Sequence, residues 1–247
     1  MNDYQSIKMK RIETDYIMPM WLPFLPIIVS FVGGIVAASL LIAYSAFYFT
    51  VPASNTTSTI VSTPTIYSTY YGLGLLLAPF MIIVYAIGAI SAALMGYVIY
   101  RLIKRFNDHA LRMKSLFGSV NQDGRENQVI SEIDSLPRRD PAEWAIIIAI
   151  FSIIPFLSIV SAILIFYIFH SLNKDFVKIE RAENNGFIQM GWKGDRYFKM
   201  VDRSTVLYIV LTIITFGIFM LYWIYTVAKD PNEHFKEDWK IEDSITP

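Results

Sequence analysis

Charged residues are missing from four long stretches of the chain and crowd the segments between them. Residues 21–50, 70–100, 144–170 and 205–228 are almost wholly apolar, and each exceeds the roughly 20 residues that a helix needs to cross a hydrocarbon core. Unpaired backbone groups are costly in lipid, so the pattern predicts helix along nearly the whole of each stretch. Pro79 and Pro155 are the kink points. Pro155 lies near the middle of the third stretch, where a re-entrant hairpin is the alternative to a straight crossing. Lys8, Lys10 and Arg11 precede the first stretch as the basic region of a signal peptide would, but the apolar run is too long for one and reads as a mature helix.

Composition agrees with the pattern: 54% of residues are hydrophobic, 15% are aromatic, and the mean hydropathy is +0.43, above the ordinary range of a soluble domain. The formal net charge is +0, which hides a sorted distribution. Arg101, Lys104, Arg105, Arg112, Lys114, Arg125, Arg138 and Arg139 lie between the second and third stretches, while the loop between the first and second has no basic residue. The positive-inside rule therefore makes the former cytoplasmic and turns the latter outward. The outward loop is rich in Ser, Thr and Pro and carries the glycosylation sequon Asn55-Thr56-Thr57. Four simple crossings also place residues 171–203 outside, although Lys174, Lys178, Arg181, Lys193, Arg196, Lys199 and Arg203 make that segment basic.

The ends of the second and fourth stretches match without a gap. Tyr100, Asn107, Asp108 and His109 align with Tyr225, Asn232, Glu233 and His234, and the third stretch ends in a weaker version that keeps only Asn173. This points to a duplicated two-helix unit. The expected fold is all-α, a polytopic membrane bundle of four transmembrane helices built as two hairpin repeats. Residues 1–20 form a cytoplasmic N-terminal segment, 21–117 the first repeat, 118–142 a polar linker, and 143–247 the second repeat with an interfacial tail. Both termini are expected in the cytoplasm, and residues near Gly186, Gly191 and Gly194 suggest a short interfacial hairpin.

The fourth stretch reads Thr215-Phe216-Gly217-Ile218-Phe219-Met220-Leu221-Tyr222-Trp223-Ile224-Tyr225, followed by Lys229, Asp230 and Asn232. It resembles a prokaryotic family of small polytopic membrane domains, itself a domain of unknown function, whose signature is a Thr-Phe-Gly-Ile-Tyr element before a Tyr-Trp pair and a charged helix end. Phe219 stands where that family commonly has Tyr. The resemblance covers about residues 203–232 and implies a membrane architecture but no chemistry.

Small residues recur every fourth position as Ser30, Gly34 and Ala38 on the first stretch and as Gly88, Ala92 and Gly96 on the second. This spacing lets helix backbones approach closely, either within one molecule or between copies. The central turns of the apolar stretches carry no Asp, Glu, Lys or Arg, which argues against an ion-coupled pump. Cys is absent, so thiol chemistry and Cys-based metal sites are excluded. His109, His170 and His234 sit near predicted helix ends, where a positive charge suits the helix dipole. His109 and His234, with Asp108 and Glu233, meet as a metal or acid–base site only if the repeats converge, and no recognised ligand spacing accompanies them. The sequence contains no phosphate-cradling loop, nucleophile elbow or dinucleotide fingerprint.

Two amphipathic extensions, Ala110, Met113 and Phe117 and then Phe235 and Trp239, are expected at the membrane interface. The leading reading is a non-enzymatic membrane scaffold or accessory subunit, with membrane lipid and a homo-oligomeric or other membrane partner and without nucleic acid, cofactor or metal. A small oligomeric pore or transporter is the alternative, and a lipid-modifying enzyme the third.

Overall fold

The computed structural model describes residues 3–50, 65–120 and 126–245; Asn55 and residues 121–125 of the expected linker lie outside them. Among the described residues every regular element is a helix: α1 (Asp3–Met9), α2 (Arg11–Thr14), a 3-10 turn (Leu22–Phe24), α3 (Leu25–Thr50), α4 (Thr65–Val120), α5 (Glu126–Asp134), α6 (Pro141–Ile153), α7 (Ser158–Gln189), α8 (Thr205–Ile214) and α9 (Ile218–Ser244). Three helical segments, Leu22–Ala43, Ala78–Ser119 and Ser158–Gln189, are long and apolar enough to cross a membrane. Phe31, Ile42, Ile82 and Ile90 are exposed along the first two, as side chains facing lipid would be.

The third and fourth apolar stretches are not single helices. Pro155 lacks an N–H and disfavours helix at the preceding residue; Ile154 accordingly leaves the helix at φ −86°, ψ 116°. The chain then folds back, so that Ser152 and Ser161 meet hydroxyl to hydroxyl at 2.7 Å and Ser161 Oγ donates to the Ile148 carbonyl at 3.2 Å. The fourth stretch turns at Phe216 and Gly217, with φ 50° and 90°. Glycine adopts that region without a steric penalty. The Thr215 hydroxyl accepts from Phe219 N–H at 2.9 Å and starts α9, while Tyr208 packs edge-on against Phe219 and Trp223. With 13 and 10 residues, α6 and α8 reach only about 20 and 15 Å, short of a roughly 30 Å hydrocarbon core. The two stretches are therefore helical hairpins with apolar tips at Phe156 and Phe216, and four straight crossings are not what forms.

Three asparagines tie the hairpins into a ring. Asn107 at the end of the apolar part of α4 donates from Nδ2 to the Arg139 carbonyl, just ahead of α6. Asn173 on α7 donates to the Val201 carbonyl and accepts from Arg203 N–H, just ahead of α8. Asn232 on α9 accepts from Met18 N–H at 3.0 Å and donates to the Met18 carbonyl at 2.8 Å, just ahead of α3. Each returning helix thus holds the entry of the next unit, and the last holds the first. The asparagines at the sequence matches thus share one kind of contact, side chain to the backbone ahead of the next apolar helix. Pro231 withholds the N–H that would meet the Val227 carbonyl within α9, and Arg105 Nη2 donates to that carbonyl at 2.6 Å instead.

This ring gathers the charged segments at one end of the molecule. Arg139 pairs with Asp175 at 2.7 Å and Arg203 with Asp230 at 2.5 Å, and Arg11 of the N-terminal segment pairs with Asp243 at 2.8 Å. Residues 171–203 therefore lie beside residues 101–139 and 229–244, not across an apolar layer from them. The extensions expected at the membrane interface are core instead: Ala110, Met113, Phe117 and Phe235 are buried. Much of the expected linker forms α5, which buries Val129 and Ile133, and α7 runs on through Gly186, leaving an irregular segment at residues 190–204 where a hairpin was expected.

The small residues divide into used and unused positions. Ser30 Oγ donates to Ser91 Oγ at 2.7 Å, Ala92 is buried, and a Cβ on Gly96 would come within 2.8 Å of the Ala145 carbonyl oxygen. Ala38 is exposed, and a Cβ on Gly34 or Gly88 would meet nothing within 4 Å. The chain has no cysteine, so single cysteines report sidedness cleanly. In intact cells, cysteines replacing Ser119, Lys193 and Ser244 should share one accessibility to a membrane-impermeant thiol reagent, opposite to a cysteine replacing Ser58; labelling of Lys193 together with Ser58 would contradict the ring.

Candidate functional site

At the charged end, the returning helices bring ionisable side chains to the centre of the ring. His109 of α4, Glu183 of α7, and His234 and Asp238 of α9 all have fully buried side chains. His234 and Asp238 are one helical turn apart and so share a face. The His109 and His234 rings stand edge to face with centroids 5.4 Å apart. His109 Nε2 is 2.8 Å from Glu183 Oε1 and 3.6 Å from Asp238 Oδ2. His234 Nε2 is 3.1 Å from Glu183 Oε2 and 3.2 Å from Asp238 Oδ2. One ligand atom from each of the four residues can be chosen so that all lie within 4.8 Å of one another.

A second layer orients the first. Asp15, delivered by the N-terminal segment, lies 2.9 Å from His109 Nδ1 and accepts from Arg112 Nη2 at 2.6 Å and from the Trp239 indole N–H at 2.8 Å. Arg112 Nη1 donates to Glu242 at 2.8 Å. Arg196, from the segment after α7, lies with Nη1 2.6 Å from Asp238 Oδ1 and Nη2 3.7 Å from Glu183 Oε2. Glu180 Oε2 is 3.8 Å from His234 Nδ1 and accepts from Met200 N–H. Phe235 packs on His109 and Phe176 on His234, walling the cluster with aromatic rings.

Charge within this cluster does not balance. The carboxylates of Asp15, Glu180, Glu183, Asp238 and Glu242 face the guanidinium groups of Arg112 and Arg196. The carboxylates exceed the positive charges by one if both imidazoles are protonated and by three if both are neutral. Burial pushes Asp15 upward, but His109, Arg112 and the Trp239 N–H outweigh it and hold the carboxyl far below the usual range. Burial pushes Glu242 up to about 7 despite Arg112, and burial with the neighbouring Glu183 raises Asp238. Polar atoms also remain without hydrogen bonds: His234 Nε2, Glu183 Oε2 and Asp238 Oδ2. Buried polar atoms normally find partners.

Sequence reading singled out His109 and His234, and the structure brings them together. It gives Asn107 and Asn232 backbone-clamping roles. Tyr100 and Tyr225 stay outside the cluster, Tyr225 with the Lys229 ammonium 5.6 Å from its ring centre. Asp108 and Glu233, the acids of the repeated motif, face other partners: Lys104 at 2.9 Å and Lys236 at 3.0 Å. His170 lies apart, at Thr205. Reading from sequence missed Glu183 and Asp238 as partners of the two histidines. The spacing of His234 and Asp238 by four residues was the available signal; nothing local marks Glu183.

A protein-family profile for a domain of unknown function, DUF4234, matches residues 203–245. The matched segment contains His234 and Asp238 but neither His109 nor Glu183. No curated protein and no solved structure matches the chain.

Removing one member of a buried ion pair strands the other and costs about 3–5 kcal/mol, whereas an exposed pair contributes about 0–1 kcal/mol. Arg112→Met should therefore lower the thermal unfolding midpoint of the purified protein sharply. Lys114→Met, which breaks the half-exposed pair with Asp134, should leave the midpoint nearly unchanged; equal effects would refute the assignment of the buried network as the stabilising one.

Proposed function

We propose that this protein is an integral membrane scaffold of the cell membrane. In this reading α3 and α4 cross the bilayer, the α6–α7 and α8–α9 hairpins enter from the face that holds the charged bundle, and that face is cytoplasmic because its basic residues are concentrated there. Its partner in the bilayer is a second copy of the chain.

The observation that carries this reading is the open groove between α3 and α4, about 200 Å³ in volume and lined by Gly34, Ala37 and Gly88. Small residues at membrane depth allow two helix backbones to approach closely, and association in lipid depends on such packing. Gly34 and Gly88 leave that potential unused within the protomer. Two further features favour a scaffold over transport or catalysis. Residues 21–100, 144–169 and 204–228 contain no Asp, Glu, Lys, Arg or His, whereas ion-coupled transport generally needs an ionisable group at membrane depth. The side chains of the four central cluster residues are fully buried, which supports a rigid platform rather than a site that exchanges substrate.

Gly34→Leu and Gly88→Leu discriminate well, because added side chains there start in open space within one protomer yet would block a neighbour. Light scattering of the protein in mild detergent should give twice the chain mass for the wild type and the single-chain mass for each variant, with unfolding midpoints unchanged. A wild-type protein that is monomeric throughout, or leucine variants that still pair, would defeat the proposal.

A further inference from the structure

We infer that His109, Glu183, His234 and Asp238 form a binding site for one divalent first-row transition metal ion, with zinc as the best-matched member of that class. The site is independent of the scaffold reading and holds the three returning helices together at the centre of the ring.

Ligand geometry carries the inference first. A four-coordinate tetrahedral ion with bonds of about 2.0–2.1 Å separates its ligand atoms by about 3.3 Å. His109 Nε2 lies 2.8 Å from Glu183 Oε1 and 3.6 Å from Asp238 Oδ2, His234 Nε2 lies 3.1 Å from Glu183 Oε2 and 3.2 Å from Asp238 Oδ2, and one ligand atom from each residue can be chosen with all four within 4.8 Å of one another. Both imidazoles present the same nitrogen to the shared centre, and the carboxylates of Glu183 and Asp238 each face both of them. Two nitrogens and two carboxylate oxygens suit zinc and its neighbours; magnesium and calcium favour oxygen-only shells.

The unpaired atoms are the second and independent observation. His234 Nε2, Glu183 Oε2 and Asp238 Oδ2 make no hydrogen bond although their side chains are fully buried, whereas Asp238 Oδ1 is taken by Arg196. A bound cation supplies the partner that each lacks, and a divalent one can replace two imidazolium protons without changing the net charge of the cluster.

Behind His109 the surrounding layer has the form that metal sites require. A histidine ligand usually gives its other ring nitrogen to a carboxylate, which fixes the tautomer. Asp15 does this for His109 across 2.9 Å and is itself held by Arg112 and Trp239. Arg196 sits behind Asp238 and Glu183, where it can orient the carboxylates while leaving Asp238 Oδ2 toward the histidines. The side chains of all four ligands are fully buried, and a site closed on every side is structural rather than catalytic.

The test uses the full-length protein, purified through a histidine-free tag, stripped with a chelator and returned to zinc, cobalt(II) or magnesium. One equivalent of zinc per chain should survive gel filtration and raise the unfolding midpoint, and magnesium should do neither. Cobalt(II) should give the intense visible absorption of a four-coordinate site. His109→Gln and Glu183→Gln should weaken zinc binding by at least two orders of magnitude. Asp15→Asn should weaken it by about 10–100-fold. If the variants do not fold, X-ray absorption of the zinc-loaded wild type decides the matter through a first shell of nitrogen and oxygen with two imidazoles. Wild-type protein that retains no zinc and shows no zinc-dependent shift overturns the site. So does a zinc ion whose affinity is unchanged in folded His109→Gln and Glu183→Gln, or whose first shell lacks the two imidazoles. None of these results bears on self-association through the α3–α4 groove.

Discussion

A carboxylate removed from water must be met by positive charge or hydrogen-bond donors, and here that demand falls on five acids at once. Asp15, Glu180, Glu183, Asp238 and Glu242 are buried together, and Arg112 and Arg196 can satisfy only part of their charge. Every element that reaches the centre arrives in a direction set by this requirement. The N-terminal segment is drawn in because Asp15 bridges His109 and Arg112. The segment after α7 is drawn in because Arg196 lies against Asp238. Around them, Phe176, Phe187 and Phe235 exclude water, which strengthens each pairing and makes each omission more costly.

The asparagine clamps solve a different difficulty. Each apolar hairpin is entered through a short extended stretch whose backbone groups have no helical partners. Asn107, Asn173 and Asn232 supply such partners from the returning helices. Arg105 meets the same need inside α9, where Pro231 frees a carbonyl. The polar residues at the bases of the apolar stretches thus have definite tasks in backbone satisfaction, and their repetition in sequence reflects repetition of the task.

Much of this was legible in the chain itself. Charge-free runs identified the apolar helices and the recurring Asn-acid-His pattern pointed to two histidines that do meet, whereas counting four crossings put residues 171–203 on the opposite side from residues 101–139, which they in fact lie beside. The hairpins were harder. Pro155 signalled a turn, but residues 205–228 form one uninterrupted apolar run, and hydropathy alone does not separate a crossing from two antiparallel arms. Gly217 is the only sign of the reversal. Glu183 was out of reach for a related reason: it lies nearly four turns beyond the apolar part of α7, and only closure of the ring places it opposite His109 and His234. Gly34 and Gly88 were legible as close-packing positions, but only the coordinates separate them from Ala92 and Gly96, which the protomer itself consumes.

The closed order of the clamps has a consequence for synthesis on the ribosome. The entry of the first unit is held by Asn232, which follows Met18 by 214 residues. Units one and two can join through Asn107 as they emerge, but Met18 has no clamp until α9 has been made. Asp15 can meet His109 and Arg112 as soon as α4 has formed, but the entry to α3 stays unclamped until α9 arrives, so that closure of the ring and sealing of its charged interior become one event.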